Sequence, residues 1–293
     1  MKKFGQMSLL LLLGVVAGSF SCPESRGKKD LDRPTVVSLA PNLTEIVFLL
    51  GMGDHLAGVS DHCNYPPAAK SKPRLGGLKN ISLEAVISRD PDYIFATRDG
   101  NDQVFLDELK QLNYKVYTFE PITMDQVLET VLSVGQILGV ESRAELANRE
   151  LKAKEQLVAG RVAGVKPVPV ILAYQRQPLI LAGPGTFADD LIKKAGGINL
   201  AADSPVPYPR YSLEMVIVKS PQAIIDVTMG ELGAADEEAR DFWSQWPDLP
   251  AVRNGKVAVL DPDLISRPGP RLFDGLIQLA KILHPEKFEE IKK

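Results

Sequence analysis

Ser82-Leu83-Glu84-Ala85-Val86-Ile87-Ser88-Arg89-Asp90-Pro91-Asp92-Tyr93-Ile94 aligns without a gap against Ser212-Leu213-Glu214-Met215-Val216-Ile217-Val218-Lys219-Ser220-Pro221-Gln222-Ala223-Ile224, 130 positions further on. A second pair follows in the same order, Lys115-Val116-Tyr117-Thr118-Phe119-Glu120-Pro121 and Lys256-Val257-Ala258-Val259-Leu260-Asp261-Pro262, displaced by 141. Ordered recurrence of this kind marks an internal duplication, so the chain reads as two lobes built on one plan. Within each copy Leu, Val and Ile fall at i, i+3 and i+4, one face of a helix. The glutamate beside the leucine, Glu84 or Glu214, then turns towards solvent. Ser82 and Ser212 carry the side-chain oxygen that a helix N-cap needs, and a first-turn carboxylate suits the helix dipole. Capping accounts for each glutamate separately, but it does not require an exposed one at the same place in both copies. Two acidic points related by the duplication are what a two-fold partner with basic sockets would recognise.

Working outward, Val36-Val37-Ser38-Leu39-Ala40 is a short β-rich run that stops at Pro41-Asn42, and Thr44 to Leu50 reads as a helix ending at Gly51. Further β-type runs at Tyr93–Ala96, Val116–Phe119, Val168–Ala173, Ala223–Val227 and Val257–Leu260 alternate with helical stretches, the pattern of βαβ units. The predicted fold class is α/β, two lobes with parallel or mixed sheets flanked by helices, joined by one long backbone helix. That helix is read from Met124 to about Val162, on apolar spacing at Val127, Val131, Val134, Ile137, Leu138, Leu146, Leu151 and Leu157, with a break at Gly139. The boundaries predicted are an N-terminal lobe over 35–140, an interlobe helix over 141–166 (helical from about 124) and a C-terminal lobe over 167–293. A helical connector resists wide bending, so the lobes are expected to move only modestly.

Ahead of the lobes, Lys2 and Lys3, the apolar run Met7–Val16 and the small residues Ala17, Gly18 and Ser19 have the layout of a secretory signal peptide over residues 1–22. The run is too short for a spanning helix, which needs roughly 20 apolar residues. Cys22 follows as a candidate lipidation site; Ser19 stands where such sites usually carry Leu, so simple cleavage near Ser19 remains the other outcome. Residues 23–34 are polar and aperiodic and read as a flexible tether. The 293 residues carry 45% hydrophobic and 24% charged side chains, enough apolar material for a sizeable core. With 34 Lys+Arg against 37 Asp+Glu and a net charge of −3, nothing attracts a phosphate backbone, so nucleic acid is excluded as a partner.

On its motifs the chain resembles the helical-backbone substrate-binding proteins of ABC importers for cobalamin, haem and ferric siderophores, most closely the cobalamin-binding members. The resemblance spans about residues 34–285. It rests on Ser38-Leu39-Ala40-Pro41-Asn42-Leu43-Thr44-Glu45, on Gly58-Val59-Ser60 running into Asn64-Tyr65-Pro66-Pro67, on the two Ser-Leu-Glu repeats, on Val206-Pro207-Tyr208-Pro209 and on Ser266-Arg267-Pro268-Gly269-Pro270-Arg271. It implies an extracytoplasmic or periplasmic monomer, tied to a membrane only through a lipid on Cys22, that passes a corrinoid or other metal chelate to an ABC permease dimer. The ligand would be cargo, with no cofactor and no catalysis. Glu84 and Glu214 would dock on permease arginines, and His62, Tyr65, Leu78, Thr97, Tyr174, Tyr208, Asp263 and Arg267 would surround the ligand between the lobes. Tyr208, fenced by Pro207 and Pro209, offers a ring that stacks on a flat macrocycle with little entropy lost.

The sequence departs from that pattern where Leu78 and Thr97 replace tryptophans of the cobalamin-binding members, which thins the aromatic cage. His62 could offer an imidazole to cobalt or haem iron. A haem or ferric-siderophore carrier is therefore the alternative ligand reading, although anionic siderophores want several cations and only Arg267, Arg98, Arg176 and Arg210 are candidates. An envelope enzyme or metal chelatase on the same scaffold is the alternative of another class. Against it stand only three histidines, His55, His62 and His284, and the lack of Gly-x-Ser-x-Gly, His-Glu-x-x-His or a Cys/His cluster. Gly51-Met52-Gly53 reads as a helix C-cap, and Gly183-Pro184-Gly185-Thr186 leads into a helix over Phe187–Ala195 and is no phosphate loop.

Overall fold

The computed structural model describes residues 34–228 and 234–289. The signal segment, Cys22 and most of the tether lie outside the described residues.

Four parallel strands form the first sheet: β1 (Val36–Ser38), β2 (Leu56–Val59), β3 (Tyr93–Thr97) and β4 (Val116–Phe119), in the order β2-β1-β3-β4. Helices α1 (Pro41–Leu49), α2 (Leu83–Ile87) and α3 (Gln103–Gln111) connect them. After α4 (Met124–Ile137) and α5 (Glu141–Val162), the second sheet is built from β5 (Val168–Arg176), β6 (Leu179–Leu181), β7 (Gly197–Asn199), β8 (Ala223–Asp226) and β9 (Val257–Val259). Its helices are α6 (Phe187–Lys194), α7 (Leu213–Lys219), α8 (Ala234–Ser244), α9 (Pro250–Arg253), α10 (Pro262–Ile265) and α11 (Leu272–Leu283). Strand β5 pairs in parallel with β7 and β8, β8 with β9, and β6 adds antiparallel at the edge.

The path β7-β5-β8-β9 repeats β2-β1-β3-β4 strand for strand, which is the duplication seen in three dimensions. Val86 and Val216 are both fully buried, while Ser82 and Ser212 both cap their helices, accepting from Ala85 N and Met215 N. Asp90 (φ 43°) and Ser220 (φ 51°) occupy equivalent left-handed positions, each just before the proline that leads into the next strand. Central strands carry unbroken apolar runs, Ile94-Phe95-Ala96 and Val170 to Ala173, because helices cover both faces of a parallel sheet.

Two boundaries differ from the sequence expectation. Helix α1 begins at Pro41, not after it: proline at the first helical position has no N–H to lose and its φ is already helical. The run from Met124 breaks at Gly139 (φ 68°), where its sequence places a break, but it does not continue as one long helix: α4 folds back along α5. Gly135 permits that close approach, since a Cβ there would lie 2.4 Å from Ala144 Cβ. The face α5 buries is Ala144, Ala147, Leu151 and Val158; Leu146 and Leu157 fall off this spacing and are half exposed. The 22 residues of α5 form the long backbone helix leading into the second sheet, and α11 packs on it.

Candidate functional site

In a parallel sheet the loops after the strand C-termini converge, so they make the crevice in which open α/β folds take ligands. Here a cavity of about 620 Å³ opens at that place. Its wall comes from residues at or just past the ends of β1 (Ala40 to Asn42), β3 (Thr97, Asp99 and Gly100), β4 (Phe119 to Ile122), β6 (Gly185 to Phe187) and β9 (Pro262, Asp263). Of the residues the sequence singles out, His62, Leu78, Thr97, Tyr208, Asp263 and Arg267 all line it. Tyr174 stands behind the wall with its ring edge-on to Tyr208, centroids 5.7 Å apart, and burial pushes its phenol pKa up. Tyr65 is outside the wall as well, because the Arg271 guanidinium sits 4.2 Å above its ring. Glu84 and Glu214 are exposed at the starts of α2 and α7.

Several wall positions are held by backbone necessity. Gly183 N donates to Pro207 O (2.8 Å) and Leu181 N to Pro209 O (3.1 Å), which straps the Val206–Pro209 loop to β6 and fixes Tyr208 at the mouth. Only glycine fits at 183, since a Cβ there would come within 2.6 Å of Val206 O. On the opposite wall the buried Asn101 amide donates to Leu39 O and Leu78 O, both 3.1 Å, and accepts from Thr97 N at 2.8 Å. One side chain thereby sets both Leu78 and Thr97. Tyr208 is close enough to Asp99, across the mouth, for that carboxylate to add to burial in raising its phenol pKa.

The sequence reading missed part of the wall. Phe119 and Phe187 supply aromatic surface that Leu78 and Thr97 do not, and Phe119 is backed edge-on by the fully buried Phe95 at 6.0 Å. Both follow the rule that lining residues sit just past strand ends, a signal that the predicted strand Val116–Phe119 already contained. Asp99 and Glu120 add carboxylates to Asp263. Against these, Arg267 is occupied: it donates to Asn64 Oδ1 (2.6 Å) and pairs with Asp263 (2.7 Å), while Asn64 Nδ2 donates to Asp263 Oδ2 (2.8 Å). Arg98 pairs with Glu120 at 3.0 Å, Arg176 with Asp226 at 2.9 Å, and neither Arg176 nor Arg210 lines the cavity. Helices α1 and α10 open on the wall with prolines, which withholds an N–H that an anion would use. The arrangement suits an apolar, hydrogen-bond-donating ligand and offers little to an anionic one.

Below the cavity, two motifs far apart in sequence lock together. Asn42 Nδ2 donates to Pro268 O (3.2 Å), Gly269 packs on Asn42, and Arg271 makes a two-pronged bond to Glu45, with Nε to Oε2 at 3.0 Å and Nη2 to Oε1 at 2.6 Å. Glu45 is 4% exposed. This network ties α1 to the start of α11, and the sequence reading assigned it no role. Cys63 is a buried free thiol hydrogen-bonded to Ser60 and Thr44, while Arg74 donates to its backbone carbonyl, and burial pushes its pKa up, away from the reactive thiolate. Among the described residues no group of three or more His, Cys, Asp or Glu side chains is placed to hold a metal ion, and no helix is long and apolar enough to cross a membrane.

Comparison with known proteins agrees with this geometry. The vitamin B12-binding protein of Vibrio cholerae serotype O1 is 30% identical over 249 residues, 85% of this chain and 88% of that protein. The crystal structure of the periplasmic vitamin B12 binding protein of Vibrio cholerae superposes with a TM-score of 0.77 at 29% identity, covering 88% of this chain and 98% of that one. The periplasmic heme-binding protein of Roseiflexus sp. RS-1 in apo form superposes with a TM-score of 0.76 at 26% identity, covering 87% and 99%. The two-lobed α/β architecture is shared with these structures, and a family of periplasmic binding proteins, not of enzymes, matches residues 36–264. The chain therefore belongs to the periplasmic binding protein family.

Proposed function

We propose that the chain captures cobalamin or a related corrinoid between its lobes and delivers it to the two-fold permease of an ABC importer, with Glu84 and Glu214 as the docking points. The observation that carries the choice of ligand is the charge balance of the cleft. Three carboxylates, Asp99, Glu120 and Asp263, stand on the wall; Arg267 is taken up by Asp263 and Arg98, beside the wall, by Glu120, which leaves Asp99 uncompensated and no arginine there for an anion. A macrocycle fringed with neutral amides meets acceptors and apolar surface there. One fringed with carboxylates meets like charge, with no unengaged arginine or lysine on the wall to pair it. The likeness to vitamin B12-binding relatives supports the same reading.

A haem carrier is the second reading, and His62 favours it: the imidazole lies on the wall, exposed. The two separate by titration. Adding cyanocobalamin to the purified mature protein is expected to quench its aromatic fluorescence and raise its melting temperature, with haemin giving the smaller shift. A larger shift with haemin, lost in His62→Ala, would reverse the assignment.

A further inference from the structure

The duplication gives the two docking helices a common frame, and within it their surroundings differ. Around Glu214 the equivalent positions are apolar and open: Met215 is 47% exposed, Ile217 48% and Val218 84%. Around Glu84 the same positions are Ala85 and Ile87, both half-buried, and Ser88, whose hydroxyl donates to Ala85 O at 2.9 Å; Arg89 follows, exposed. The residue equivalent to Arg89 is Lys219, and both oxygens of Asp203 hold its ammonium at 2.8 and 2.9 Å. On α7, positions 214, 217 and 218 adjoin at i, i+3 and i+4, so the acid and its apolar neighbours form one continuous patch. Exposed side chains of this kind, centred on a charge and with Lys219 on the same helix tied to Asp203, form the core and anchor of an interface more than a solvated face.

We infer that the two ends of the molecule do not dock equally: the Glu214 end, with Met215, Ile217 and Val218, seats in an apolar socket around a permease arginine and carries most of the docking affinity, while the Glu84 end makes a polar, weaker contact. The inference rests on the importer reading. It commits to the permease as occupant because the patch is continuous with the Glu214 docking point, and because a two-fold permease presents the same socket to both ends, so only this chain can create the difference.

The test is binding of the chain to its permease dimer in lipid nanodiscs by surface plasmon resonance, which needs no ligand. Met215→Ser/Val218→Ser is expected to weaken binding by about tenfold or more, from the apolar surface left unburied. Glu214→Lys should weaken it more than Glu84→Lys. Both substitutions of the serine variant lie on exposed positions, and an unchanged melting temperature certifies its fold. Unchanged binding by the serine variant, or equal losses from the two single reversals, would overturn the inference. If even the Glu84→Lys/Glu214→Lys chain binds like the parent, the docking reading itself is wrong and the inference goes with it. A concentration-dependent dimer in sedimentation that the serine variant dissolves would give the patch to a second copy, and would equally overturn it.

Discussion

Reversing Glu84 and Glu214 together to lysine is expected to abolish uptake by whole cells while leaving ligand affinity and melting temperature close to those of the parent. Both side chains are exposed and contribute nothing to the core, and surface substitutions of this kind are close to neutral for stability. The loss comes from the partner. A hydrogen bond from Ser212 holds the Glu214 carboxyl below its usual pKa, so it is fully charged at neutral pH. Lysine would place like charge against the basic sockets, so uptake should fall by about a hundredfold or more. Calorimetry with the same variant checks that the cleft is intact; retained uptake would discard the docking proposal.

The second large effect is on stability. Arg271→Leu leaves Glu45 buried and ionised without its two-pronged partner, and breaking a buried pair from one side costs about 3–5 kcal/mol. In a chain of this size that is a fall in Tm on the order of 10 °C. Replacing both partners by apolar residues should recover much of it, because it is the stranded charge that is expensive. The pH dependence follows with a definite sign. Burial raises the Glu45 pKa above the ordinary carboxylate value, against the hydrogen bond and charge of Arg271. A carboxyl raised in the folded state binds its proton more readily folded than unfolded, so its ionisation disfavours folding as pH climbs through the raised pKa. Loss of Arg271 lifts that pKa further. The deficit of the variant should therefore be fully present above its own further-raised Glu45 pKa and shrink as pH falls from there towards the parent's raised value, which thermal melts across pH would measure.

Most of the architecture was legible because its signals are local. The helical phase of the two Ser-Leu-Glu segments, the unbroken apolar strands and the glycine breaks at 51 and 139 each report their own geometry. Strands β2, β6 and β7 escaped because three or four residues, one of them glycine in β2 and β7, carry no period to read. The cleft was legible where motifs marked it, at His62, Leu78, Thr97, Tyr208, Asp263 and Arg267. It was not legible where position relative to the sheet decides the role, as for Phe119, Phe187, Asp99 and Glu120. Tyr65 shows the converse: its motif fits the cleft, but Arg271, more than two hundred residues on, claims its ring. The Glu45–Arg271 pair is long-range in the same way, and nothing local announces it.

The central claim is that the crevice between the duplicated lobes holds a corrinoid, and a crystal structure of the mature chain grown with cyanocobalamin tests it most directly. The account predicts the macrocycle between Tyr208 and Phe187 on one side and Phe119 and Leu78 on the other, with amide arms turned to Asp99, Glu120 or Asp263. A crevice left empty under saturating cyanocobalamin, with haemin occupying it through His62, would contradict the account.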